Sequence, residues 1–128
     1  MSEDFVTFEL AKKLKEKGFP QHITEEAYIV DNYGEEEVEI GELLPIQLVP
    51  DYMDDVAAPT IPQVLKWLRE EKRIYVDIRF NRYYQFYKYY VFTMSAESED
   101  MYEECRINTY EEAALAGIEY AVDNLLEI

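Results

Sequence analysis

Between Thr60 and Phe80 the spacing of apolar residues switches from a helical to an extended period. Ile61, Val64, Leu65 and Leu68 recur at i, i+3, i+4 and i+7, one face of a helix with Trp67 on its border. Thr60-Ile61-Pro62-Gln63 reads as a capping box: the Thr60 hydroxyl can accept from the Gln63 N–H, and Pro62 lies in the first turn, where a missing N–H costs nothing. Lys72 and Arg73 then put positive charge at the helix C-terminus. Beyond them Ile74, Val76, Ile78 and Phe80 alternate with Tyr75, Asp77 and Arg79, the period of a half-buried strand. A two-residue turn at Asn81-Arg82 would pair Phe80 with Tyr83, Val76 with Tyr87 and Ile74 with Tyr89. Tyr83, Tyr87, Tyr89 and Val91 would then face the core, whereas a turn one residue longer would bury Lys88.

The same reading extends to both ends of the chain. Thr7 is placed to cap a helix from Phe8 to Lys17 with Phe8, Ala11 and Leu14 on one side, and the lysines at 12, 13, 15 and 17 form its solvated face. Gly18 suits a left-handed C′ position, Phe19 can fold back onto Leu14, and Pro20 prevents the helix from resuming. Ala27 to Tyr33 predicts a short strand, and Val38 and Ile40 between glutamates predict a partner from Glu37 to Leu43, with Glu35-Glu36-Glu37 in the turn. Leu44 to Ala58, with two prolines and an Asp-rich stretch, predicts a loop; one so long is unusual, and Ile46-Gln47-Leu48-Val49 is a candidate strand inside it. After an acidic connector at Glu97–Glu104, Thr109-Tyr110-Glu111-Glu112 opens a helix running to about Leu126. Its inner stripe is Ala113, Ala114, Gly117, Ile118, Ala121, Val122 and Leu125. The expected fold is a single α+β domain spanning 1–128, with three helices on one face of a mostly antiparallel sheet of four or five strands.

Composition adds one asymmetry. The chain of 128 residues has a formal net charge of −16, yet residues 66–88 carry seven basic and three acidic side chains. The acidic remainder favours solubility and disfavours non-specific attachment to nucleic acid or an anionic membrane. Six of the twelve tyrosines lie between Tyr75 and Tyr90. No apolar run approaches a membrane span, and the first residues lack a basic and apolar leader, so a cytoplasmic protein is expected.

Candidate chemistry is sparse. His22 is the sole histidine, beside the Pro20-Gln21 stretch, and no glycine-rich elbow surrounds a serine. Cys105 is the sole cysteine, which excludes an internal disulfide and a cysteine zinc site. The carboxylates at 35, 36, 37 and 39 and at 51, 54 and 55 lack the alternation and closing glutamate of a calcium loop. The four glycines, Gly18, Gly34, Gly41 and Gly117, form no phosphate or dinucleotide fingerprint. No catalytic residue, metal ligand, cofactor or small-molecule site is therefore predicted.

The hairpin is different. Arg73, Tyr75, Arg79, Tyr84, Phe86, Lys88 and Tyr90 fall on its outer face, and exposed aromatics with arginine are what interface centres are enriched in. A protein partner or self-association is the leading expectation. The same composition also suits single-stranded nucleic acid, where rings stack on bases and cations track phosphates. A third alternative is that the acidic surface imitates DNA and occupies a basic groove. The plainest alternative is that Tyr75–Lys88 and Arg79–Tyr84 are cross-strand packing pairs without further role.

FVTFELAKKLKEKGF (5–19), AYIVDNYGE (27–35), APTIPQVLKWLREEKRIYVDI (58–78) and TYEEAALAGIEYAVDNLLEI (109–128), in that order, resemble a family of small proteins encoded in phages, prophages and mobile elements of gut anaerobes. The resemblance implies an α+β fold and a mobile-element setting, and it brings no active site with it. Apart from Glu35, the acidic stretches 35–42 and 51–55 lie outside the shared pattern.

Overall fold

The computed structural model describes residues 5–30, 43–48, 54–93 and 107–126, and they form an α+β protein with three α-helices and two antiparallel sheets. The chain divides into two compact units, residues 1–60 with residue 128, and residues 61–127. The expected single sheet is thus corrected: among the described residues five strands are present, three in one sheet and two in another. The physical reason is that the strand Asp54–Ala57, within the stretch read as loop, pairs with the strand Glu26–Val30, while the Ile74 strand pairs with its own hairpin neighbour.

In the first unit, α1 (Phe8–Glu16) begins where the Thr7 hydroxyl accepts from the Leu10 N–H at 3.2 Å. It ends in a Schellman motif: Gly18 has φ +98°, its N–H donates to Lys15 O at 3.2 Å, and the Phe19 N–H donates to Leu14 O at 2.9 Å. Phe19 is buried with Leu10, Ala11 and Leu14. Phe8, expected inside, is half-buried and meets Tyr28 edge-on. The sheet has β1 (Glu26–Val30) in its centre, between β2 (Leu43–Pro45) and β3 (Asp54–Ala57). Two expectations change here. Ile46–Leu48 is a turn of 3₁₀ helix rather than a strand, and Asp54–Ala57 is a strand although its aspartates hide the pattern. Pro45 stands on an edge strand, where a missing N–H is tolerated. The predicted strand from Glu37 lies outside the described residues except for Leu43, which opens β2.

The second unit starts with α2 (Ile61–Glu71), whose buried arc is Ile61, Val64, Trp67 and Leu68. Trp67 takes the place expected of Leu65, which is only half-buried. Counting 100° per residue, the arc from Ile61 through Leu68 and Val64 reaches Trp67 and leaves Leu65 at its edge. Arg73 follows with φ +58°, a left-handed residue that turns the chain directly into β4 (Ile74–Asn81).

β4 pairs with β5 (Phe86–Thr93) in an unbroken register from Ile74 opposite Thr93 to Asn81 opposite Phe86. The expected two-residue turn is corrected to a four-residue loop, and the pairing is displaced by four positions. Asn81 causes this: its side-chain oxygen accepts from the N–H groups of Tyr83 and Tyr84, both at 3.0 Å, and its backbone oxygen accepts from Gln85 N–H at 2.6 Å. Gln85 closes the loop at φ +62° without being glycine. Because four is even, the faces survive for β5, while Tyr83 leaves the core side and is 82 % exposed.

α3 (Tyr110–Asn124) lies on the inner face of this hairpin, and α2 packs against α3 and β4. Of the stripe expected on α3, Ala113, Ala114, Gly117, Ile118, Ala121 and Val122 are buried, while Leu125 is half-buried and Leu126 is buried instead. The Thr109 hydroxyl accepts from Glu112 N–H at 3.0 Å. Thr109→Ala should therefore lower the unit's stability by about 1 kcal/mol, measured by urea unfolding.

Candidate interaction face

The helices cover one side of the hairpin, so alternation decides what the other side shows. Ile74, Val76 and Ile78 face α3 with Tyr89 and Val91, of which Ile74, Tyr89 and Val91 are buried. Tyr75, Asp77, Arg79 and Asn81 face outward, opposite Phe92, Tyr90, Lys88 and Phe86 respectively. These four cross-strand pairs make one ladder of rings and charges.

Its contacts are specific. Tyr75 and Phe92 stack with ring centroids 5.4 Å apart and planes 16° from parallel. The Arg79 Nε lies 2.8 Å from Asp77 Oδ2, and the guanidinium sits 4.5 Å from the centre of the Tyr90 ring. Lys88 Nζ lies 5.5 Å from the Phe86 ring, and Tyr84 stacks parallel to Phe86 at 6.0 Å. The cation–ring pairs are thus Arg79–Tyr90 and Lys88–Phe86, in place of the expected Tyr75–Lys88 and Arg79–Tyr84. The four-position displacement brings Arg79 opposite Lys88, one pair from Tyr90, whereas Lys88 and Phe86 are neighbours on the same face of β5. A shallow depression of about 190 Å³ is lined by Arg79, Phe80, Asn81, Lys88 and Tyr90.

Of the seven residues singled out from sequence, Tyr75, Arg79, Phe86, Lys88 and Tyr90 share the outer face. Tyr84 joins them from the loop, 62 % exposed, through its stack on Phe86. Arg73 is exposed but stands before β4, outside the ladder. Phe92 and Asp77 complete the face; one more step of the same alternation beyond Tyr90 would have included Phe92. At the hairpin's far end Phe80 is 50 % exposed and leans on Tyr87, which meets Tyr110 edge-on. Tyr83 stands against Tyr84 at 4.8 Å. Aromatic surface therefore continues around the tip.

No family model, curated protein or solved structure matches this chain.

Elsewhere the chemistry is thin. His22 is exposed in a turn, and Cys105 and the acidic stretches 35–42 and 97–104 lie outside the described residues. Among the described residues no three His, Cys, Asp or Glu side chains converge as a metal site would need, and no helix is long and apolar enough to cross a membrane. An open cleft of about 620 Å³ in the first unit is lined by Thr24, Glu25, Glu26, Pro45, Ile46 and Gln47, with the Thr24 hydroxyl donating to Glu26 O.

Proposed function

We propose that this chain is a non-enzymatic, cytoplasmic protein-interaction module that offers the outer face of the β4–β5 hairpin to a protein, either another copy or a protein of a phage, mobile element or host. The observation that carries the reading is the set of partly exposed rings, Tyr75, Phe92 and Tyr90 on one side of the Arg79–Lys88 pair and Phe86 and Tyr84 on the other, on a face that α2 and α3 leave uncovered among the described residues. Rings held by neighbouring cations and stacks lose little conformational freedom on docking, which favours them as anchors.

Single-stranded nucleic acid is the second reading, supported by Arg79 and Lys88 beside stackable rings. Asp77 argues against it. Its carboxylate lies among the rings and holds Arg79 at 2.8 Å, placing negative charge where phosphate would pass. The net charge of −16 opposes it further. A DNA-mimic role would rest on the acidic stretches outside the described residues.

Tyr84→Ala combined with Tyr90→Ala should abolish recovery of a specific partner from native lysate while leaving the urea midpoint within the small range usual for surface changes. An oligonucleotide shift at low salt that weakens with Lys88→Ala, and no protein captured, would replace this reading with the nucleic-acid one.

A further inference from the structure

The outer face uses the side chains of the hairpin; its backbone has a second surface, the far edge of β4. The sheet contains only β4 and β5, so among the described residues no strand pairs with that edge. Its polarity follows from one bond. The Tyr87 N–H donates to Ile107 O at 2.8 Å, away from β4, so Tyr87 and Phe80 are a non-hydrogen-bonded pair. By alternation the N–H and C=O groups of Val76, Ile78 and Phe80 point away from β5. The strand reads Ile-Tyr-Val-Asp-Ile-Arg-Phe-Asn, with no proline, glycine or lysine, and its register has no bulge. Among the described residues it carries none of the prolines, lysines or bulges that blunt an edge, only the charges of Asp77 and Arg79.

That charge selects an occupant. We propose that a second copy of this chain pairs with β4 antiparallel about a two-fold axis through Ile78, joining the two hairpins into one four-stranded sheet. With Ile78 opposite itself, Val76 lies opposite Phe80 of the other copy, and about six backbone hydrogen bonds form. On the outer face Asp77 then lies opposite Arg79 of the other copy, and Arg79 opposite its Asp77. Both are non-hydrogen-bonded positions, where side chains come closest. The 2.8 Å pair within each chain becomes a ring of four alternating charges. Moving the axis one residue either way sets Asp77 against Asp77 or Arg79 against Arg79, so the charges define the register as well as the partner. The half-exposed Phe80 gains Val76 as a cross-strand neighbour. The outer ring rows of both copies remain uncovered, so this pairing stands apart from the partner-binding reading above and doubles the face available to it.

Sedimentation equilibrium on the full chain tests it by charge exchange. The wild type should sediment at twice 15.2 kDa. Asp77→Arg and Arg79→Asp, each alone, set like charges against like across the axis and should weaken the dimer at least about tenfold. Mixed in equal amounts they face each other with opposite charges on both sides of the axis, and the dimer should return. Far-ultraviolet circular dichroism checks that each variant is folded before mixing. A monomeric wild type at about 100 μM, single variants that dimerise unchanged, or a mixture of folded variants that stays monomeric would overturn the proposal. Tyr84→Ala with Tyr90→Ala should leave the dimer intact, so loss of the partner and loss of the dimer are read separately.

Discussion

Ile118→Ala is expected to lower the stability of the second unit by about 2–5 kcal/mol, the largest single effect anticipated in this protein. Ile118 is fully buried on α3, the helix that covers the inner face of the hairpin. Removing its side chain leaves a cavity that the flanking Ala114, Ala121 and Gly117 are too small to fill, so little collapse can offset the lost contacts. Trp67, the only tryptophan, is buried in the same unit and reports the transition by fluorescence in urea. A loss below about 1 kcal/mol would mean that α3 does not hold the hairpin as described.

Gly117→Ala should destabilise by about 1–3 kcal/mol, against the direction helix propensity predicts. In a free helix alanine would gain nearly 1 kcal/mol over glycine. Here the added Cβ would meet Val76 Cγ1 at 2.5 Å and the Tyr89 ring at 3.3 Å. Val76 is β-branched and held in a paired strand, so it cannot rotate away cheaply. The diagnostic is the double variant: combined with Val76→Ala, the change at Gly117 should become neutral or stabilising, a coupling expected only of residues in contact. Additive effects in urea unfolding would contradict the close approach of α3 to β4.

These two sites also mark what was legible in advance. The small-residue stripe of α3 and its Thr109 cap follow from spacing alone, because a helix face repeats often enough to average out exceptions. The Gly18 stop was equally readable, since one φ value and one bonding pattern account for it. The hairpin register was not. Its loop is closed by Asn81 accepting from two N–H groups and by Gln85 in a left-handed conformation, and neither is a residue that announces a four-residue turn. β3 was hidden because Asp54 and Asp55 break the apolar alternation, so its pairing with β1 supplies what its composition does not. The outer face survived the register error because the displacement was even. Its cross-strand contacts did not survive, since the ring that Arg79 meets depends on the register itself.

Docking of a protein on the outer aromatic face can be read by site-specific photocrosslinking inside the native cell. A photoreactive phenylalanine analogue is placed at Tyr84, at Tyr90 or at Ile23, an exposed apolar residue of the first unit that serves as control. Discrete protein adducts are expected, the same from Tyr84 and Tyr90 and none from Ile23. Crosslinking from Ile23 alone, or none from the two hairpin positions with the variant chains present at wild-type abundance, would contradict it.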